Sequence, residues 1–521
     1  MTYTIEKVTT LIGARRYGDN DTNIGFILTD SRSLCFPEET LFFALKSERN
    51  DGHNYIPELY RRGVKNFVVT DVPKGYASDY PGANFLKVVN TLEALQRLAE
   101  RHRDEFNIPI VGITGSNGKT MVKEWLYQIM SPDVCATRSP RSYNSQIGVP
   151  LSVWLLNEHT QLGIFEAGIS QPGEMRALRG IIQPTIAVLT NLGAAHQENF
   201  ESMQAKCKEK IQLFHDAQTV VYDADDSVIA AEVEASGYPG ERLCWSLTDA
   251  HAPMYISRID KGDAHTLVTY SYQGGAEQHY QLPFIDDASI SNSIVCATVA
   301  LHLGVSAADL AQRMQQLEPI AMRLEVKEGQ HGCTLINDSY NSDVNSLDIA
   351  LDFMRRRPDH QGRRRTLILS DIEQSGLTPQ SLYGEVAQLC QQRGVERFIG
   401  IGPQLCAAAD EITIADKSFF ESVDAFVDSP VFHTLRDEVI LLKGARKFGF
   451  DRLTELLVRK VHETILEVNL SAVVENLNWY RSFMKPDTKL VCMIKADAYG
   501  AGSVEIAKTL QDHRVDYLAV A

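Results

Sequence analysis

The chain predicts an α/β protein built of successive domains, with a parallel sheet at the centre and a phosphate-binding loop at its edge. Two observations carry this prediction. The segment Ile108-Pro-Ile-Val-Gly-Ile-Thr-Gly-Ser-Asn-Gly-Lys-Thr120 reads as strand, glycine turn and helix start. Along most of the chain, short apolar runs alternate with helical patterns, as in a doubly wound sheet. At 521 residues the chain exceeds a single core and suggests roughly three or four domains.

Residues 1–106 read as a small α/β unit. Strand candidates are Asn66–Thr70 and Asn84–Val89, and a helix over 91–106 buries Leu92, Leu95 and Leu98. Residues 107–317 form a larger unit that opens with the phosphate loop. Its apolar runs, Leu162–Gly168, Thr185–Thr190 and Thr219–Tyr222, suit a parallel sheet. Residues 318–460 repeat the pattern with Cys333–Ile336, Arg365–Ser370, Arg397–Ile401 and Glu438–Leu442. Residues 461–521 read as strand, helix, strand, helix, strand. No low-complexity linker separates the units.

The phosphate loop is the most specific local signal. Glycines bring backbone N–H groups close to oxygens, and a helix start adds free donors and a positive dipole. Lys119 is placed to reach the outer phosphates and the Thr120 hydroxyl to reach magnesium. Val122, Trp125, Leu126 and Ile129 mark the buried face of the helix. The strict P-loop pattern has a glycine where this chain has Ile113, so the loop is the shorter Thr114–Thr120.

Composition narrows the class. Hydrophobic content of 44% and charged content of 23% suit a soluble globular protein. The net charge of −16, with no lysine or arginine tract, argues against a nucleic-acid surface. Nine scattered cysteines without a Cys-x-x-Cys pair read as free thiols in a reducing compartment. The N-terminus lacks an apolar export signal, and no apolar run approaches the ~20 residues of a membrane helix. A cytoplasmic location with no membrane insertion is expected.

The loop Thr114–Thr120, Glu166 in Phe-Glu-Ala-Gly and His196 in Thr-Asn-Leu-Gly-Ala-Ala-His together resemble the Mur ligases of peptidoglycan synthesis. The resemblance runs from about residue 25 to 455, the span of a three-domain ligase. Thr29-Asp-Ser-Arg32, Leu41–Lys46, Asp51-Gly-His53, Asn337–Asn341 and Leu442–Arg446 are similar to the branch that adds a dipeptide. The resemblance implies an ATP- and Mg2+-dependent, monomeric ligase. It would join D-alanyl-D-alanine to a UDP-N-acetylmuramoyl-tripeptide through an acyl phosphate.

It also implies residue roles. Thr114, Gly115, Ser116, Asn117, Gly118, Lys119 and Thr120 would bind ATP, with Asn292, Arg323 and Asp338 as further contacts. Thr120, Glu166 and His196 would face magnesium. A lysine downstream of His196 would carry carbon dioxide as a carbamate. Lys206, Lys208 and Lys210 are available, and spacing from His196 together with the following apolar residues favours Lys210. Ser31 and Arg32 would contact the uridine nucleotide, Asn144 the central cleft, and Lys443 and Arg446 the incoming dipeptide. Three departures bear on the adenine contacts: Met121 replaces a second threonine, Asp286–Ser291 replaces a His-Asn pair, and Val344 replaces a proline.

In the tail, Leu466–Leu477 and Lys489–Gly500 resemble the start of alanine racemase, a pyridoxal phosphate enzyme with a TIM barrel. Lys495 matches its Schiff-base lysine and Tyr499 a phosphate contact, while Ala501 replaces a histidine. A barrel takes about 250 residues, far more than this tail. The expectation is a fragment of a ligase–racemase fusion, inactive as a racemase in this chain and holding pyridoxal phosphate only in a complete domain. Two rivals remain open. One is a family member that adds a single amino acid, disfavoured because the Asp-Asn-Pro-Arg motif of such relatives is absent. The other is a nucleotide switch that is no ligase.

Overall fold

The computed structural model describes residues 2–34, 36–47, 50–140, 142–193, 197–318, 324–339, 342–356, 362–373, 375, 377–459, 468–481, 483–485, 488–500, 502–513 and 515–520. It divides into two compact units, residues 1–95 with 461–521, and residues 96–460.

In the first unit a five-stranded sheet runs Arg15–Tyr17, Asn84–Lys87, Asn66–Val69, Thr40–Phe43, Phe26–Leu28. The Arg15–Tyr17 edge is antiparallel and the rest is parallel. Phe42, Phe67 and Phe85 fill its core. Two of the strands were expected; the others are short or carry polar edges and give little periodic signal. The tail holds helices Leu470–Arg481 and Ser503–Asp512 and a parallel pair of strands, Val491–Met493 and Tyr517–Ala519. The strand expected at the head of the tail falls on 460–467, outside the described residues.

The second unit carries the central sheet. Its six parallel strands run Glu241–Arg242, Thr219–Val221, Ile186–Leu189, Ile110–Thr114, Leu162–Glu166, Ala136–Arg138. Alternate residues of each strand serve opposite faces. Val111, Ile113, Ile164 and Val188 join one core with Trp125 and Leu126. Ile110, Phe165, Ala187 and Leu189 join the other, with Leu178, Ile182 and Phe214. The strand order reverses around Ile110–Thr114, so the carboxyl ends of that strand and of its two neighbours meet at the topological switch point, where open α/β sheets bind ligands.

One element was not expected. A four-stranded sheet, Trp245–Ser246, Met254–Lys261, Thr266–Tyr272 and Gln278–Leu282, follows the parallel one. Its last three strands are antiparallel. Its inner residues Met254, Ile256, Val268, Tyr270 and Tyr280 share the core of Trp125. Further along, a mixed sheet runs Glu325–Glu328, Thr334–Asp338, Glu438–Lys443, Arg364–Ser370, Arg397–Ile401, Asp416–Phe420. Only its Glu325–Glu328 edge is antiparallel. No helix among the described residues is long and apolar enough to cross a membrane.

Candidate nucleotide and metal site

The site starts where Ile110–Thr114 ends. Gly115 has φ +145° and Gly118 has φ +83°, and a helix, Lys119–Met130, begins at once. Both glycines are required by space as well as by backbone. A Cβ on Gly115 would lie 1.9 Å from Thr190 Oγ1, and one on Gly118 would lie 2.3 Å from Asn292 Oδ1. The segment after Ile186–Leu189 braces the loop. Ser116 N donates to Asn191 O at 3.0 Å and Asn117 N to Asn191 Oδ1 at 2.9 Å. Gly193 N donates to Ser116 Oγ at 2.8 Å. The first N–H groups of the Lys119–Met130 helix have no intrahelical acceptor. Thr114 Oγ1 and Asn117 Nδ2 are buried with no hydrogen-bond partner among the described residues. These are the donors a polyphosphate would occupy.

Lysines converge on the same loop. Lys119 Nζ folds back to donate to Gly115 O at 2.7 Å and Ser116 O at 3.0 Å. Lys210 Nζ donates to that same Gly115 O at 3.1 Å from the helix Met203–Ile211. Burial, with the charges of Lys119 and Lys206 added, pulls the Lys210 amine well below the ordinary lysine range. Lys206 is also buried, donates to Gly193 O at 2.5 Å, and is pulled down to about 8, chiefly by burial. Lys208 points away, its side chain 68% exposed and 3.9 Å from Glu232. Of the three candidates, Lys210 donates to the loop itself and Lys206 to the Gly193 carbonyl of the segment that braces it.

Glu166 ends the strand beside the loop and is fully buried. Its Oε2 accepts from Thr120 Oγ1 at 3.2 Å and from Asn144 Nδ2 at 3.3 Å. Thr120 Oγ1 also lies 3.2 Å from Ser142 Oγ. A carboxylate flanked by hydroxyls beside a phosphate cradle is an oxygen donor set that fits magnesium. That ion takes one or two protein ligands and fills its shell with phosphate and water. Among the described residues no three His, Cys, Asp or Glu side chains gather into a metal cluster.

The remaining expectations place as follows. Asn292 abuts the loop, 5% exposed, with Nδ2 3.2 Å from Met121 Sδ. The departure at Met121 therefore meets the adjoining helix. Asp286, in the second departing stretch, caps that helix Asp287–His302 by accepting from Ser289 N at 2.8 Å. Asp338 and Lys443 end adjacent strands in register, and Lys443 Nζ donates to Asp338 Oδ2 at 2.7 Å. Lys443, expected beside the dipeptide, is thus buried and already engaged. In the first unit, Ser31 lies in the turn Ser31–Ser33. Exposed Arg32 forks onto Asp30 at 2.9 and 2.6 Å and holds that carboxyl below its usual range. His196 and Arg323 lie outside the described residues, as does the side chain of Arg446.

Lys495 and Tyr499 are exposed, Tyr499 at 65%. They lie in sequence between the two strands of a parallel pair, Val491–Met493 and Tyr517–Ala519, and residues 496–499 have φ between +51° and +60°. With no enclosing sheet around them, the described tail residues do not fit pyridoxal phosphate. Sequence reasoning also missed Lys123, which is buried against Glu166 with Nζ 3.2 Å from Oε1. A charged residue in mid-helix reads as surface until its partner strand is known.

The chain matches models of three families: the Mur ligase middle domain over residues 113–300, the Mur ligase glutamate ligase domain over 322–446, and the alanine racemase N-terminal domain over 468–521. It is 28% identical to the UDP-N-acetylmuramoyl-tripeptide–D-alanyl-D-alanine ligase of Treponema pallidum, over 82% of this chain and 92% of that one. It is 29% identical to the ligase of the same name from Synechocystis, over 68% and 74%. A crystal structure of MurF from Acinetobacter baumannii superposes with a TM-score of 0.75 at 22% identity, covering 88% of this chain and 99% of that one. MurF ligase from Thermotoga maritima, solved in complex with ADP, gives 0.69 at 21% identity over 82% and 96%. The fold is the three-domain α/β fold of these ligases.

Proposed function

We propose that this chain, an ATP-dependent ligase of the Mur ligase family, joins D-alanyl-D-alanine to UDP-N-acetylmuramoyl-tripeptide by way of an acyl phosphate. The observation that carries the reading is the meeting of Lys119, Lys210 and the Thr120–Glu166 pair around one loop. The names of the relatives supply the substrates.

In this reading residues 1–106 bind the uridine nucleotide through Ser31 and Arg32, residues 107–317 bind ATP, and residues 318–460 bring Arg323, Asp338, Lys443 and Arg446 to the reaction. Residues 468–521 match the alanine racemase N-terminal domain. The tripeptide carboxylate attacks the γ-phosphorus, ADP leaves, and the amine of the dipeptide then attacks the acyl carbon. Phosphate departs with the former carboxylate oxygen, and the amine loses its proton. Thr114–Thr120 hold the polyphosphate, and Lys119 turns from its carbonyl partners to the charge spreading over the transferring group. Thr120, Glu166 and His196 would hold magnesium, which would neutralise phosphate charge when bound. Burial pulls the Lys210 amine down and so favours the neutral form that carbon dioxide requires, and the carbamate would restore an anion in a pocket of lysines.

The test is phosphate release with ATP and UDP-N-acetylmuramoyl-tripeptide, with and without D-alanyl-D-alanine. Release that rises steeply only with the dipeptide is expected. Equal release with a single D-amino acid would transfer the chain to the branch that adds one residue.

A further inference from the structure

We propose that Lys123 is a positioning residue of the magnesium site: its ammonium is a resident counter-cation that balances and orients Glu166 while the site is empty, and loosens the grip of that carboxylate on a metal–nucleotide complex so that product can leave. This rests on the reading of Glu166 as a magnesium ligand.

Lys123 follows Thr120 by one helical turn, so both side chains face the strand that ends in Glu166. Its ammonium lies 3.2 Å from Glu166 Oε1, and both side chains are 0% exposed. Oε1 accepts no other hydrogen bond among the described residues. Oε2 is turned the opposite way, to Thr120 and Asn144. The carboxylate is thus divided between a cation on one side and the phosphate loop on the other. Lys123 is itself held by Ser139 O at 2.9 Å and by Glu124 Oε1 at 2.9 Å. Glu124 Oε2 takes Arg138 Nε at 2.9 Å, and the Arg138 guanidinium lies 3.5 Å over the Tyr127 ring. Alternating charges therefore lead from a half-exposed edge to a fully buried carboxylate.

A buried ion pair is a poor way to stabilise a fold, because desolvation offsets most of the attraction and apolar side chains of the same volume do as well or better. The pair makes sense as part of the site. Charges a few ångströms apart in a dry interior interact strongly. A cation bound by Glu166 lies in the repulsive field of Lys123, whereas an empty Glu166 lies in its attractive one. Removing the ammonium destabilises the empty protein and favours the loaded one.

The experiment is a titration of Mn2+ in the presence of ADP, with free Mn2+ followed by electron paramagnetic resonance, alongside melting curves. K123M is expected to bind Mn2+–ADP roughly tenfold or more tightly than the unaltered chain. Its melting temperature falls without metal and recovers when Mn2+–ADP is added. K123R keeps the charge and stays within about threefold of the unaltered chain. A folded K123M with unchanged or weaker affinity overturns the proposal. If K123M is unfolded alone, its refolding on addition of Mn2+–ADP supports the proposal and failure to refold overturns it. E166Q separates the two readings. If it leaves Mn2+–ADP affinity intact, Glu166 is no ligand and both fall; if it weakens affinity while K123M does not strengthen it, only the role of Lys123 falls.

Discussion

At the scale of single residues, the loop lysines divide by what they touch. Lys119 is half-buried and donates to the loop carbonyls of Gly115 and Ser116 at 2.7 and 3.0 Å. Lys119→Ala is expected to leave the melting temperature near that of the parent and to cut phosphate release by about 10²–10³-fold, the cost of losing one preorganised charge. Lys210 is buried, and Lys210→Arg places at that position a guanidinium that cannot accept carbon dioxide. It is expected to be inactive at any bicarbonate concentration, whereas the parent loses activity reversibly when carbon dioxide is stripped from the buffer. Lys206 gives a pH signature. Its amine is near 8 in the fold and about 10.4 in an unfolded chain. The unfolded state therefore binds more protons between those values, and stability rises with pH across that window. A Lys206→Met chain lacks this gain. The melting-temperature difference, variant minus parent, should shrink as pH goes from about 8 to about 10.4.

At the scale of elements, the strand–loop–helix unit was legible because its chemistry is local. Gly115, Gly118 and Lys119 sit within a few residues, and Val122, Trp125, Leu126 and Ile129 repeat at helical spacing and are all buried. The strands Arg397–Ile401 and Glu438–Lys443 were legible because buried parallel strands carry near-continuous apolar runs, here Phe398–Ile401 and Val439–Leu442. The sheet of Met254–Lys261 and its neighbours was not. Its strands are half-exposed, with polar residues such as Arg258 and Lys261 on the outer side. Lys123 was hidden for another reason, since its role depends on Glu166, which lies on a strand distant in sequence. The same dependence makes Gly115 exacting. Gly115→Ala combines a positive φ with a Cβ 1.9 Å from Thr190 Oγ1. It should push the loop off its Thr190–Gly193 brace, costing about 2–4 kcal/mol. The expected readings are a lower melting temperature and no detectable ADP binding by calorimetry.

At the scale of the whole molecule, the order of events separates a ligase from a nucleotide switch. In an acyl-phosphate reaction the bond to γ-phosphorus breaks before the amine is needed, so the first half-reaction can run backwards. Labelled ADP should therefore exchange into ATP when UDP-N-acetylmuramoyl-tripeptide is present and D-alanyl-D-alanine is withheld. No exchange should occur without the tripeptide, because its carboxylate is the phosphoryl acceptor. Hydroxylamine, a strong amine nucleophile, should capture the activated tripeptide as a hydroxamate under the same conditions. A switch predicts the reverse: hydrolysis that ignores the tripeptide, and no exchange. In a ligase, a loop cation such as Lys119 that holds phosphate charge away from water would protect an acyl phosphate until the dipeptide arrives. Exchange that depends on tripeptide but not dipeptide, abolished in Lys119→Ala, would tie the loop to the first chemical step. Exchange without tripeptide would sever that tie.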